Sequence, residues 1–236
     1  MYSFDSRIRY SEVDKEGKIT LNAILDYFQD SSSFHSEELG RGIEFLMEQE
    51  LAWVLSAWQI EIKRYPSYGE YVKICTWPYD FKGFFGYRNF TMETPEGEVL
   101  AFANSMWTLL DLKTGRPTRI PVEVASAYEL SPQYPMKCES RKIELPKEMQ
   151  SEESFPVHKY HIDTNQHVNN GRYVGMAQEY LNENERIYKM RAEYRKAAVY
   201  GDIIFPYVAK QEKKKIVNLA DKEGKPYAII ELEGNK

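Results

Sequence analysis

Three of the four histidines fall within ten residues, in a segment that also carries a carboxylate and several carboxamides. The groups with chemistry to offer are His158, His161, Asp163, Asn165 and His167. Histidine exchanges a proton near neutral pH, so a His/Asp/Asn cluster is suited to proton transfer or to holding a water molecule. The segment lies just ahead of an amphipathic helix, whose start adds unpaired backbone N–H groups.

The same cluster permits two plainer interpretations. His161, Asp163 and His167 have a spacing that a metal ion tolerates, but the sequence offers no further ligand cluster, so neither a metal nor a cofactor is expected. All three histidines are also acceptable as ordinary turn or capping groups. His158 and His161 receive no role, and His35 is expected to be structural or to line a pocket.

Composition restricts the class of protein. The chain has 236 residues, 42% of them hydrophobic, and a net charge of −5, which argues against general nucleic-acid binding. Cys75 and Cys138 lie outside any metal-binding pattern, as expected for free thiols in a reducing cytoplasm. No membrane span and no signal or transit peptide is predicted, so a cytoplasmic location is expected.

The two halves of the chain repeat one another. Residues 13–20 resemble residues 162–169, 149 positions further on. Residues 61–64 resemble residues 193–196, 132 positions further on, so the first half holds 17 extra residues between these landmarks. An ordered pair of matches predicts a duplicated unit of about 110 residues. Asp163, Asn165 and His167 have first-half equivalents without Asn or His, namely Asp14, Glu16 and Lys18. One active site per chain is therefore expected.

Each half is predicted to run strand, helix and then several strands. Thr20 is expected to cap a helix that ends near Gly40, and residues 42–51 predict a second short helix. In the second half, Asn169 or Asn170 is expected to cap a helix that reaches about Leu181. Alternating apolar residues and turn signals predict the strands, at residues 58–63, 71–77, 84–93, 99–112, 155–162, 191–196, 202–211, 214–221 and 227–233.

This order of elements predicts an α+β fold, in which helices cover one face of antiparallel sheets. The expected domains are residues 1–112 and residues 151–236. A linker at residues 113–150, rich in proline and without periodicity, joins them.

Four motifs resemble those of the acyl-[acyl carrier protein] thioesterase family. HIDTNQHVNN at residues 161–170 resembles its D-x-N-x-H-V-N-N signature, and RYPSYGE at residues 64–70 resembles its R-Y-P-x-W-G-D turn. ANSMW at residues 103–107 and IPVE at residues 120–123 resemble its S-S-x-W and I-P-E-E segments. The resemblance runs from about Arg7 to Asp202. It implies two tandem hotdog domains, each a long helix packed on an antiparallel sheet.

The resemblance implies hydrolysis of the thioester between a fatty acyl chain and the phosphopantetheine of acyl carrier protein, in fatty acid biosynthesis. Asp163, Asn165 and His167 match the catalytic positions, and the acyl tail is expected in an apolar tunnel of the N-terminal half. Asp163 or His167 would take the proton from water, and Asn165 would orient that water. Free N–H groups near Asn169 and Asn170 would stabilise the oxyanion.

One departure from the family affects the mechanism. Plant members carry a Glu-Cys pair just after an E-Y-R motif, where this chain has Ala197 and Ala198. Neither alanine can act as base or nucleophile, so water attack is expected rather than a cysteine nucleophile. Glu179, expected on the inward face of the second helix, is a candidate for the missing carboxylate, and a structural hydrogen bond is an equal alternative.

Three other functions stay open on this fold: an acyl-CoA thioesterase, a non-catalytic hotdog lipid-binding module and a dehydratase. An acidic carrier protein would need a basic docking surface. Two groups of residues could form one: Arg116, Arg119, Lys137, Arg141 and Lys142, or the lysines of residues 213–215. A homodimer is a reasonable expectation by resemblance, because hotdog sheets commonly pair edge to edge.

Overall fold

The computed structural model describes residues 1–182, 185–211 and 213–235. The chain divides into two compact units, Met1–Ser56 with Ile60–Cys138, and Ala57–Gln59 with Glu139–Lys236. The division at Cys138 falls within the predicted linker. Each unit packs a helix on an antiparallel sheet, so the predicted α+β class is confirmed.

The first unit contains helices α1 (Leu21–Glu38), α2 (Ile43–Glu48) and α3 (Val122–Ala125). Its strands are β1 (Tyr2–Arg7), β2 (Leu51–Ile62), β3 (Tyr71–Lys82), β4 (Phe85–Glu93), β5 (Val99–Asp111) and β6 (Arg116–Pro117). The strands lie side by side in the order β1-β3-β4-β5-β2, and β6 pairs with the end of β5.

Helix α1 forms where the 3.6-residue period predicts it. The Thr20 side chain caps it by accepting a hydrogen bond from Ala23 N–H at 3.1 Å. The inward face packs on β3 and β1, and Phe28 lies 5.3 Å from Phe90 between ring centroids. The helix ends at Glu38, and Gly40 follows with a φ of 63°, a conformation that glycine adopts without strain. Each buried apolar side chain contributes roughly 1.5–3 kcal/mol.

The C-terminal half of α1 buries a polar cluster. Arg88 donates a hydrogen bond from Nη1 to His35 Nδ1 at 3.0 Å and another to Thr76 Oγ1 at 3.2 Å. Because a guanidinium only donates, His35 Nδ1 is the acceptor and the imidazole is neutral. The Tyr2 ring stacks on His35 at 5.7 Å and the Tyr128 ring meets it edge-on. Burial, followed by the charge of Arg88, lowers the pKa of His35 to about 4. His35 is therefore structural.

This cluster makes the stability of the first unit depend on pH. The unfolded chain binds a proton at His35 below about pH 6.5, whereas the folded chain binds it only near pH 4, so acidification favours unfolding. We expect His35 to lower the free energy of unfolding by at most about 3 kcal/mol across this window. Urea unfolding of wild type and His35→Gln at several pH values measures the effect. Between pH 6.5 and about 4, the free energy of unfolding should fall less steeply with decreasing pH in the variant than in wild type. Equal slopes in the two proteins would contradict the role given to His35.

The second unit contains helix α4 (Asn170–Gln178) and strands β7 (Gln150–Ser151), β8 (Phe155–Pro156), β9 (Arg186–Tyr194), β10 (Ile203–Gln211), β11 (Lys214–Ala220) and β12 (Pro226–Asn235). The strands lie in the order β9-β12-β11-β10-β7, and β8 pairs with the start of β10. Helix α4 packs on β12 and β11. Among the described residues, no helix combines the length and apolar character that crossing a bilayer requires.

Two predictions for the second unit are wrong. Helix α4 has nine residues, so the expected long helix is absent there: Tyr180 N–H and Leu181 N–H donate to carbonyls three residues back, and the chain turns away. Two glycines within α4 also weaken its intrinsic stability. The strand predicted at residues 155–162 forms only at Phe155–Pro156. Pairing with β10 stops there, and Lys159–His161 form a short 3₁₀ helix.

Residues 139–143 of the predicted linker are anchored to the sheet of the second unit. Glu139 pairs with Arg191 at 3.0 Å, and Ile143 N–H donates to Glu193 Oε2 at 2.9 Å. The Ile143 side chain packs in a buried cluster with Ile216. Glu193 is the acidic residue of the E-Y-R string. Its carboxylate is buried, with the residue 4% exposed, and it holds the linker by accepting this hydrogen bond. Buried carboxylates of this kind are retained because a backbone N–H and a cation satisfy them.

Candidate active site

The polar segment found in the sequence forms a tight turn that leads into α4. Asp163 N–H donates to His167 C=O at 2.8 Å, and Ile162 and Val168 pair as an antiparallel bridge. Asp163 Oδ1 accepts a hydrogen bond from Asn165 N–H at 2.8 Å, which holds the turn from inside. The backbone thereby brings Asp163 and His167 opposite each other, with Asn165 between them. We call residues 163–167 the Asp163 turn.

The first unit contains the same turn with different side chains. Asp14 N–H donates to Lys18 C=O at 2.8 Å, and Asp14 Oδ1 accepts from Glu16 N–H at 2.9 Å. Gly17 has a φ of 71° there, and Gln166 takes the equivalent conformation with a φ of 62°. A non-glycine residue at positive φ costs about 1 kcal/mol or more. The duplication predicted from sequence therefore extends to individual hydrogen bonds, and in both units a carboxylate holds the turn.

The start of α4 follows the Asp163 turn directly. Asn169 is the N-cap, as predicted for this pair of asparagines, and its Oδ1 accepts from Gly171 N–H at 2.8 Å. Asn169 N–H donates to His161 C=O at 2.9 Å. In the described part of the chain, Asn170 N–H has no acceptor. Asn169 therefore caps the helix, and the free donor that suits an oxyanion is the N–H of Asn170.

Exposure separates the candidate residues into two sets. Asn165 and His167 are exposed and Asp163 is half-buried, so a substrate can reach all three. Glu179 is the C-cap residue of α4 and is exposed, so the expectation that it faces inward is wrong. Nine residues of helix separate it from Asn170, which corresponds to about 13 Å along the axis. The structure thus groups Asp163, Asn165 and His167 and leaves Glu179 apart.

The alanine pair lies beside the Asp163 turn. Val168 N–H donates to Ala198 C=O at 2.9 Å, and Ala198 N–H donates to the Tyr173 hydroxyl oxygen at 2.9 Å. Ala198 is fully buried, whereas Ala197 is exposed. A carboxylate or thiol at these positions would therefore adjoin the turn. This chain presents only methyl groups there, and the acid–base groups next to the helix start come from the turn.

Two tyrosines position the start of α4. The Tyr194 hydroxyl donates to Asn170 C=O at 3.0 Å, and the Tyr173 hydroxyl accepts from Ala198 N–H. Burial raises the pKa of both phenols, so both stay protonated and neutral. Sequence reasoning missed these roles. Tyr194 belongs to the E-Y-R string and Tyr173 to the inward face of α4, but neither pattern says which backbone group each hydroxyl meets.

No group of three His, Cys, Asp or Glu side chains that could hold a metal ion occurs among the residues that the structure describes. Within the Asp163 turn, the carboxylate is engaged by a backbone N–H, and the other side chains are an amide and an imidazole. These groups suit acid–base chemistry on a bound water more than metal coordination.

Comparison with known proteins identifies the family. Residues 1–128 match the model of the acyl-ACP thioesterase N-terminal domain, and residues 144–230 match that of the acyl-ACP thioesterase C-terminal domain. This chain belongs to the acyl-ACP thioesterase family. Its relatives include the chloroplastic acyl-[acyl-carrier-protein] hydrolase FATB1 of Cuphea viscosissima, 27% identical over 80% of this chain and 49% of that protein. The chain thus spans about half the length of this relative.

Solved structures of acyl-ACP thioesterases share the fold. The Bacteroides thetaiotaomicron acyl-ACP thioesterase has a TM-score of 0.91 with 22% identity, over 99% of this chain and 97% of that one. The 12:0-ACP thioesterase of Umbellularia californica has a TM-score of 0.82 with 20% identity, over 99% of this chain and 96% of that one. The predicted tandem hotdog fold is confirmed, with the shorter helix of the second unit as its local departure.

The paired turns of this acyl-ACP thioesterase family member lead to a stability prediction. Asp163→Ala and Asp14→Ala each remove a carboxylate that bonds a backbone N–H, so each should lower the free energy of unfolding by about 1 kcal/mol. Asp14 also accepts from Lys18 N–H at 3.1 Å, so its loss should cost at least as much. Urea unfolding measures both. A loss confined to Asp14→Ala would show that the Asp163 carboxylate does not hold its turn.

Proposed function

We propose that this chain hydrolyses the thioester of acyl-acyl carrier protein and releases a free fatty acid. The observation that carries the proposal is the Asp163 turn, which sets Asp163, Asn165 and His167 at the start of α4. The names of relatives, such as palmitoyl-acyl carrier protein thioesterase of Cuphea hookeriana, support the same substrate class. The first-unit turn has Glu16 and Lys18 at the matching positions, so we assign one active site to each chain.

In the proposed mechanism, water attacks the thioester carbonyl directly. Asp163 or His167 takes the proton of that water, and the Asn165 amide orients it. The N–H of Asn170 stabilises the oxyanion, helped by the positive end of the α4 dipole, and such donors contribute about 3–4 kcal/mol. The proton held by the acid–base group then passes to the leaving thiolate.

The state of the thiols argues against a cysteine nucleophile. Ala198 adjoins the turn, and it has no group that could attack a thioester. Burial raises the pKa of the Cys75 thiol, and desolvation raises that of Cys138 although this residue is exposed. Reactive cysteines have a lowered thiol pKa, because the thiolate is the nucleophile. Direct attack by water therefore fits these residues better.

Several expectations stay predictions. These are an apolar tunnel for the acyl chain in the N-terminal half, a homodimer, a catalytic role for Glu179 and a cytoplasmic location.

The docking surface expected at residues 213–215 is wrong for two of the three lysines. Lys214 pairs with Glu231 at 3.0 Å, and Lys215 is 5% exposed and pairs with Glu185. Cations committed to intramolecular carboxylates cannot also recruit an acidic partner.

The duplicated turns supply a matched experiment on activity. Asp163→Ala and His167→Ala should lower kcat for acyl-acyl carrier protein, by about 100-fold or more for the residue that takes the proton of the water. Asp14→Ala and Lys18→Ala change the equivalent positions of the first unit and should retain hydrolysis. Steady-state kinetics on purified protein measures both sets.

The same assay separates the proposal from its alternatives. Activity that survives both second-unit substitutions would contradict the mechanism, and a wild type that binds acyl thioesters without turnover would point to a lipid-binding module. Presenting one acyl group on carrier protein and on coenzyme A decides the substrate. Equal or faster turnover of the coenzyme A thioester would identify an acyl-CoA thioesterase instead.

Tyr194→Phe tests how the helix start is positioned. The substitution removes one hydrogen bond to Asn170 C=O, worth about 1 kcal/mol, so kcat should fall roughly fivefold to tenfold with little change in KM. Tyr188→Phe on the same strand is the control, since its hydroxyl donates to Glu233 at 3.1 Å. Stability should fall similarly in both variants. Equal losses of kcat in the two would show that Tyr194 acts only on stability.

A further inference from the structure

Aromatic and basic side chains, exposed except for the half-buried Arg172, flank the Asp163 turn. Lys159 and Tyr160 belong to the 3₁₀ helix that precedes the turn, and Arg172 lies in the first turn of α4. The Arg172 guanidinium lies 4.7 Å from the Tyr160 ring centroid, and the Lys159 ammonium lies 5.8 Å from that of Tyr200. Tyr160 and Tyr200 are 68% and 60% exposed. We call these four residues the basic rim.

Neither cation of the basic rim is neutralised by a carboxylate. Within the described ranges, no Asp or Glu oxygen lies within 4.0 Å of the Lys159 ammonium or the Arg172 guanidinium, and the contacts of both are with tyrosines. Several other cations of the same unit are paired, as Lys196 is with Asp221 at 3.2 Å. In a chain of net charge −5, two unpaired cations beside the turn form a local positive surface.

The position of Arg172 is electrostatically unfavourable for the isolated helix. The N-terminal end of a helix carries partial positive charge and favours anions, yet the first turn of α4 contains no acidic residue. Burial lowers the pKa of His161, and the charges of His158 and Arg172 lower it further, which reports the same positive potential. A cation held against the helix dipole is stabilised when an anionic partner binds across both.

The exposed tyrosines add apolar area to this charge. Cation–π contacts hold the basic groups in place over the ring faces, so less side-chain entropy is lost when a partner binds. Val199 and Ile203 lie within three residues of Tyr200 in the sequence and are each 43% exposed. Tyrosine and arginine on an exposed surface are the residue types enriched at protein interfaces.

We propose that the basic rim is the docking surface for the acidic carrier protein that delivers the acyl thioester. Lys159 and Arg172 would bind carboxylates of the carrier, and Tyr160 and Tyr200 would supply the apolar contacts. The inference rests on the proposed thioesterase function and adds the residues that select the carrier. It explains how a chain of net negative charge could attract a negatively charged partner to this site.

Charge reversal at both cations tests the proposal. In Lys159→Glu/Arg172→Glu, KM for acyl-carrier protein should rise at least tenfold at low ionic strength, with kcat nearly unchanged. The difference from wild type should shrink as salt rises to about 0.5 M, because salt screens exposed charges. The matched control is Lys15→Glu/Lys222→Glu, which changes net charge equally at two exposed lysines outside the rim and should keep the wild-type KM.

Three acyl donors separate the outcomes. Acyl-CoA carries phosphates without a carrier protein, and acyl-pantetheine carries neither, so the rim variant should hydrolyse both as wild type does. An equal rise in KM for acyl-CoA would overturn the proposal in favour of a plain phosphate site. An unchanged KM for acyl-carrier protein would also overturn it, while leaving the thioesterase function standing. A wild type that hydrolyses none of the three donors would instead refute the proposed function.

Discussion

The hydrogen bond from Asp163 N–H to His167 C=O is the constraint on which the site depends. It closes a turn in which Asp163, Asn165 and His167 are neighbours, and the next residues enter α4 with Asn169 as N-cap. Val168 then joins the turn to Ala198 through a further backbone bond. Because these are backbone contacts, the geometry survives changes of side chain. The chemistry can therefore differ between two turns of the same shape.

The duplicated units show this separation of shape from chemistry. Asp14 and Asp163 hold their turns in the same way, and Gly17 and Gln166 share a left-handed conformation. At the third and fifth positions of the turn, the second unit carries the amide of Asn165 and the imidazole of His167, whereas the first unit carries Glu16 and Lys18. Gln166 accepts backbone strain that Gly17 avoids, and strained non-glycine residues concentrate at functional sites. The second turn thus has the same backbone shape as the first, and it differs in carrying side chains that can take part in acid–base chemistry.

The cations of the second unit make two different kinds of contact. Arg191, Lys214 and Lys215 are bound to carboxylates, and Arg191 holds the chain at Glu139 onto the sheet. Beside the Asp163 turn, Lys159 and Arg172 meet tyrosine rings instead. Paired charges stabilise the fold locally and present little field, whereas unpaired ones project it into solvent. The arrangement assigns one group of cations to structure and leaves the other available for recognition.

The sequence by itself determined the duplication, the helix cap at Thr20, a second cap at Asn169 or Asn170, and the polar groups of the Asp163 turn. All of these are local patterns of period, capping and turn chemistry. Only the tertiary structure decided the early end of α4, the exposure of Glu179, and the hydroxyl contact between Tyr194 and Asn170. Each of these depends on contacts or solvent access set by residues distant in sequence. A periodic pattern carries no information about them.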